Sequence, residues 1–251
     1  EKNMKILVVN PNISKDVTDL IEKEAKRAAG KDTEIIADTA PFGVEYIETR
    51  MESVIGGYAT ACVAAEHYGE YDGMVVAAFG DPGLMGIKEL LDVPVVGMTE
   101  GALASACLLG QRFSIIAISD RISAWYRETV QRSCLLDRLA SIRSLKDPLR
   151  NVGTVQEDYR DRLVELAEEA VKKDGADVII LAGAPLAGLA RELDGELPVP
   201  VVDGVSSAVK HCESLIALKP GIARAGSFAK PPVKPNKGLP EKLAAILNRT
   251  L

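Results

Sequence analysis

The sequence predicts an α/β protein of two pseudo-symmetric domains, each a parallel four-stranded sheet flanked by helices, with a small-molecule site in the cleft between them. Short apolar runs alternate along the chain with longer amphipathic segments, the pattern of βαβ units around a parallel sheet. Three pieces of the first half recur in the second, in the same order, at an offset of roughly 105 to 110 residues. Turns rich in Gly, Pro and Asn follow the apolar runs, where ligands bind in such sheets.

Strands are expected at 5–9, 74–77, 93–97, 113–118, 178–181 and 199–202, where valine, isoleucine and leucine cluster. Helices are expected at 15–29, 51–68, 84–91, 121–132, 157–173 and 205–218. Each follows a strand, as a crossover connection requires. The repeat pairs Lys5-Ile6-Leu7-Val8-Val9-Asn10 with Ser114-Ile115-Ile116-Ala117-Ile118-Ser119, and Val93-Pro94-Val95-Val96 with Val199-Pro200-Val201-Val202. Between them, 72–82 corresponds to 177–185. Valine-rich buried strands look alike on their own, but matched order and spacing in three places points to duplication. The expected division is residues 1–98 with 206–251 as the first domain and 99–205 as the second. From Ala223 onward, Pro231, Pro232, Pro235 and Pro240 alternate with Lys230, Lys234 and Lys237. That composition reads as an extended strap, packed on the surface, before a last helix at 241–248.

Composition narrows the function. With 251 residues, 47% apolar and 26% charged, the chain can bury one large core or two modest ones. The net charge of -6 comes from 36 acids and 30 bases spread along the chain, so no basic stripe is available for phosphates and nucleic acid is not an expected partner. The apolar run 4–9 is too short for a secretion signal or a membrane span, so a cytoplasmic protein without membrane attachment is expected. Cys62, Cys107, Cys134 and Cys212 show no CxxC spacing and only two histidines are present, so neither a disulfide framework nor a metal is expected. The expected partner is a small molecule, on a homo-oligomer.

Four turns are candidates for the site: 10–14, 78–83, 119–120 and 182–185. Asp81-Pro82 and Ala184-Pro185 put proline where a first helical residue belongs, so two helix N-termini with free N–H groups are expected to face the cleft and receive a carboxylate or imide carbonyl. Gly80 and Gly183 would let a ligand approach the backbone. Capped helix starts without a ligand are the plainer alternative.

Asn10-Pro11-Asn12, Phe79-Gly80-Asp81-Pro82-Gly83-Leu84 and Val202-Asp203-Gly204-Val205, in this order across nearly the whole chain, resemble the hydantoin and allantoin racemases of the aspartate/glutamate/hydantoin racemase superfamily. The resemblance implies a racemase without cofactor in which two cysteines flank the substrate. One removes the α proton as thiolate and the other returns a proton from the opposite face. By that alignment the two positions are Ala78 and Gly183, and neither side chain carries a proton. The run 181–186 departs from the family turn at several positions together, which reads as a natural, divergent subgroup. None of the four cysteines replaces the missing pair by position.

For a catalytic protein, other groups then take the roles of acid and base. Glu45 and Tyr46 stand where the family carries proline and serine, and Asp81 sits at a strand end, where it could equally cap a helix. Glu100 also lies near a strand end, Glu48 matches a family acid and is expected to order the first turn, and His67 and His211 fall in helices away from the turns. The expected binding set is Asn10, Asn12, Ala78, Phe79, Gly80, Asp81, Ser119, Gly183, Ala184 and Pro185, and the candidate catalytic set is Glu45, Tyr46 and Asp81. The expected function is a cofactor-independent racemase or isomerase acting on a small carboxylate or hydantoin-like cyclic amide. The alternative is a non-catalytic binding protein on the same scaffold.

Overall fold

The computed structural model describes residues 3–251. The first half runs β1 (Met4–Asn10), α1 (Lys15–Ala28), β2 (Thr33–Thr39), α2 (Arg50–Glu66), β3 (Gly73–Val76), α3 (Leu84–Leu90) and β4 (Val95–Gly97). The second runs α4 (Met98–Leu109), β5 (Phe113–Ala117), α5 (Ser123–Arg132), β6 (Leu139–Ser144), α6 (Val155–Asp174), β7 (Val178–Leu181), α7 (Leu189–Glu192) and β8 (Val201–Asp203). Helices α8 (Gly204–Leu218) and α9 (Glu241–Asn248) close the chain.

Two four-stranded sheets form, ordered β2-β1-β3-β4 and β6-β5-β7-β8, with every pairing parallel. The interior strands are covered on both faces, which is why β7 reads as an unbroken apolar run and β5 as one interrupted only by Ser114. Two of the four edge strands, β2 and β6, were not anticipated. β2 (TEIIADT) and β6 (LASIRS) keep charged residues and only partial burial, so neither looks like a core strand. Helix α4 was missed for the opposite reason: from Gly101 to Leu109 it has no charged residue and hence no amphipathic period.

One central core is shared by the two sheets. Ile6, Val8, Val75 and Ala77 from the first sheet join Phe113, Ile115, Val178 and Ile180 from the second, with Ile21 of α1, Leu103 of α4 and Val209 of α8 among them. The outer face of the first sheet packs Leu7, Val9, Met74 and Val76 under α2, α3 and α9. The outer face of the second packs Ile116, Ile179 and Leu181 under α6 and α7. Helices α4 and α8 approach closely because Gly101 lies on Ala208, whose backbone a Cβ at 101 would meet at 2.9 Å. From Lys219 to Pro240 the chain is irregular and mostly exposed, and α9 then buries Leu243 and Ile246, as the expected strap and last helix require. Among the described residues, no helix is long and apolar enough to cross a membrane.

Candidate active site

After β3 the chain turns through Ala78, Phe79, Gly80 and Asp81. Gly80 has φ +100, and a Cβ there would lie 2.2 Å from the ring of Trp125, so the aromatic ring occupies the space a side chain would need. Asp81 is a non-glycine residue at φ +51. Its carboxylate accepts from the N–H of Thr99 at 2.7 Å and of Glu100 at 3.0 Å, while Thr99 Oγ1 accepts from the Gly80 N–H at 2.6 Å. Asp81 therefore caps α4 rather than the helix that follows it. Burial pushes its pKa up to about 7 against the opposing pull of these N–H groups.

The paired helix N-termini expected from the two prolines are smaller than the sequence suggests. Helix α3 starts at Leu84, beyond Gly83 at φ +72. In the second half, Gly183 at φ +111 leads into a single 3-10 turn, Ala184–Leu186, and α7 has only four residues. What the two turns offer is a set of individual donors, not two macrodipoles. Among the described residues, the N–H groups of Phe79, Gly183 and Ala184 make no hydrogen bond. The second turn is held from behind: Gln156 Nε2 donates to the carbonyls of Pro185 and Ala187 at 2.9 and 2.8 Å, and the Gly188 N–H donates to Asp203 at 2.8 Å. Asp203 also caps α8 through the Ser206 N–H.

The halves meet around Tyr126. Its ring stands edge-on to Phe79 with centroids 4.7 Å apart, and its hydroxyl lies 4.0 Å from where a side chain on Gly183 would begin. Ala78 and Gly183 are each half-buried, whereas Ala77 and Ala182 before them are fully enclosed. Burial raises the Tyr126 pKa well above its usual value, with the Asp81 carboxylate adding to the shift, so the phenol stays protonated.

The other expected residues separate. Tyr46 packs against both the central core and the outer core of the second sheet, with its hydroxyl buried and unpaired. Ser119 Oγ donates to Glu48 at 3.1 Å. Burial and the Glu48 carboxylate raise the Tyr46 pKa. Glu45 is exposed. Asn10 is spent on its own turn, its Nδ2 donating to Asn12 Oδ1 and Thr18 Oγ1 at 2.9 and 3.0 Å and its Oδ1 accepting from the Asn12 N–H. Of the cysteines, Cys62 and Cys212 are buried, and burial holds the Cys212 thiol up at about 12.

Trp125 and Tyr126 escaped the sequence reading. The signal was present as the chain's single tryptophan beside a tyrosine, just past the turn that ends β5. Their importance depends on partners 45 residues or more away, Gly80 and Phe79, which local patterning does not reveal.

Comparison with known proteins gives this geometry a lineage. The family model described as Asp/Glu/Hydantoin racemase matches residues 6–212. A hydantoin racemase of Paenarthrobacter aurescens is 37% identical over 92% of this chain and 99% of its own length, and one from Pseudomonas sp. (strain NS671) is 33% identical over 92% and 93%. The allantoin racemase from Klebsiella pneumoniae superposes with a TM-score of 0.91 at 33% identity, covering 96% of this chain and 98% of that one. The two sheets, their joined turns and the chain-long similarity agree, and the chain belongs to the Asp/Glu/Hydantoin racemase family.

Proposed function

We propose that the protein is a cofactor-independent racemase or isomerase that exchanges the acidic proton of a small carboxylate or hydantoin-like cyclic amide without thiol chemistry. The observation that carries this reading is the pairing of two turns in equivalent positions at strand ends: Ala78 and Gly183 are both half-buried, the ring of Phe79 packs edge-on against Tyr126, and the protonated Tyr126 phenol lies 4.0 Å from where a side chain on Gly183 would begin. Removing a proton beside a carbonyl leaves an enolate whose charge resides on oxygen. The N–H groups of Phe79, Gly183 and Ala184 supply hydrogen bonds to that oxygen, which is the preorganised stabilisation such a reaction needs. Tyr46 serves as proton donor, because its hydroxyl is buried, protonated and unpaired. Asp81 serves as acceptor, since a pKa of about 7 suits proton exchange near neutrality and each oxygen keeps a second lone pair beside its N–H bond. Glu45, exposed on the same loop as Tyr46, is the alternative acceptor.

A second reading, ligand binding without turnover, draws on one observation: both oxygens of Asp81 already serve the start of α4. One experiment separates the two. A single enantiomer of 5-methylhydantoin is incubated in D2O with the protein, and optical rotation and deuterium uptake are followed beside calorimetry. Racemisation faster than in buffer, surviving iodoacetamide, supports the proposed chemistry. Binding without exchange supports the second reading, and exchange abolished by alkylating a cysteine overturns the non-thiol mechanism.

A further inference from the structure

Gly97 ends β4 and stands between two carboxylates. On one side lies Asp81. A Cβ at position 97 would overlap all three atoms of that carboxyl group, so only glycine lets it reach the start of α4. On the other side, the Gly97 N–H donates to Glu100 Oε1 at 3.4 Å. Glu100 also meets Asp81 through its own backbone, whose N–H donates to Asp81 Oδ2 at 3.0 Å. The two side chains are both acceptors, so what passes between them is charge and not a hydrogen bond.

Lys88 of α3 completes the arrangement. Its Nζ donates to both oxygens of Glu100, at 2.8 and 3.1 Å. Each side chain of the pair is 29% exposed, so water screens it only in part. The pair joins the two elements that flank Asp81, since α3 follows the Asp81 turn and α4 begins at the Asp81 oxygens. Few charged or titratable groups face that carboxyl. From α4 comes Glu100, whose charge opposes ionisation of Asp81, and from α5 comes the protonated phenol of Tyr126. Among the described residues no cation bonds Asp81, and Lys88 acts on it through Glu100.

We propose that Lys88 and Glu100 are positioning residues for Asp81: they hold a carboxylate, balanced by an ammonium, across Gly97 from it, and so govern how readily Asp81 takes up and releases a proton. The catalytic consequence rests on the reading of Asp81 as proton acceptor given above. Removing each partner acts in a different direction. Lys88→Met keeps the aliphatic stem but leaves the Glu100 charge unbalanced, which favours protonated Asp81. Glu100→Gln keeps an acceptor for the Gly97 N–H and leaves Lys88 unbalanced, which favours the Asp81 carboxylate. Loss of a merely structural clasp would move both variants alike.

Asp81 is titrated in the free protein by carbon-13 NMR of its carboxyl group, the resonance being assigned by its loss in Asp81→Asn. The same variants are assayed for deuterium exchange of 5-methylhydantoin against pH. The expected midpoint rises in Lys88→Met and falls in Glu100→Gln, each by about half a pH unit or more, with the double variant between them. Lys88→Arg, which restores the cation, should return the midpoint to near the parent value, and the acidic limb of the exchange profile should move with the midpoint. A midpoint that moves the same way in both single variants, or in neither, overturns the inference. Opposed midpoints beside an unmoved limb, or beside no exchange at all, support the role of the pair and overturn Asp81 as the acceptor.

Discussion

At Gly80 a backbone angle and a neighbouring ring impose the same residue. A methyl group at φ +100 is strained wherever it lies, and here it also meets Trp125 at 2.2 Å. Gly80→Ala is expected to lower stability by about 2–4 kcal/mol in urea denaturation. Trp125 is the chain's single tryptophan, so a red shift of native emission should report its displacement, and a variant as stable as the parent would show that the contact relaxes freely. Tyr46 and Glu45, adjacent in sequence, separate in space. Removing the unpaired Tyr46 hydroxyl leaves no partner stranded, so Tyr46→Phe should keep or slightly raise stability while cutting turnover about a hundredfold. Exposed Glu45 predicts only a few-fold loss in Glu45→Gln, and the reverse ranking in a turnover assay would make Glu45 the acceptor. Positions 78 and 183 can be tested by restoring what the family resemblance implies. A side chain on Gly183 would find its nearest atoms at 3.6–4.0 Å, which is enough room, but φ +111 costs it about 1–3 kcal/mol. The double variant Ala78→Cys, Gly183→Cys should therefore be less stable yet gain hydantoin exchange that iodoacetamide removes. No gain would place the family's thiol positions elsewhere. Glycine and proline made these turns legible in the sequence, while Tyr126 stayed hidden because its role is created by a ring from the other half.

The elements most readable in the sequence were those with one dominant physical requirement. β7 is apolar on both faces, and α9 is bounded by Pro240 and an amphipathic pattern, so both were anticipated with their observed limits. β2 and β6 satisfy two demands at once, pairing on one side and water on the other, which erases the apolar run. Two side chains secure elements in a pH-dependent way. Asp81 holds the start of α4, and its folded pKa of about 7 lies above its ordinary value near 3.8. Its contribution is thus fully present below about pH 4 and lost as pH rises to 7. His67 joins Asp38 of edge strand β2 at 2.9 Å to Glu70 at 2.8 Å beyond the end of α2. Burial lowers its pKa, but the two carboxylates outweigh it and the net shift is upward from 6.5. Its contribution is complete below pH 6.5 and declines above it. Stability measured against pH should accordingly flatten between pH 4 and 7 in Asp81→Asn, and only above pH 6.5 in His67→Gln. Identical profiles for both variants and the parent would mean that neither bond differs between folded and unfolded chains.

On the scale of the whole molecule, duplication and cooperativity pull in different directions. Both sheets place their strands in the same order, as the recurring motifs suggest, and α8 and α9 return to the first sheet, which supports our proposed division into residues 1–98 with 206–251 and 99–205. Yet the inner faces of the two sheets do not have separate cores. Phe113, Ile115, Val178 and Ile180 of one are buried in the same cluster as Ile6, Val8, Val75 and Ala77 of the other. Further contacts bridge the halves at the rim: Arg191 reaches the enclosed carboxylate of Glu24 at 3.4 Å, and Arg50 pairs with Glu128. Separating the halves would return those large side chains to water, each at a cost of roughly 1.5–3 kcal/mol, more than the net stability of a small domain can absorb for several at once. The repeat was visible in the sequence because it lies in local motifs, whereas the shared core was not, because the pairing of two inner faces leaves no periodic mark. The intact chain should therefore melt in one transition, with calorimetric and van't Hoff enthalpies equal and Trp125 emission coincident with circular dichroism. A fragment of residues 99–205 should bind a hydrophobic dye and lack a cooperative transition. Sharp two-state unfolding of that fragment would show that each half carries a sufficient core of its own, and that the site forms between two independently folded domains.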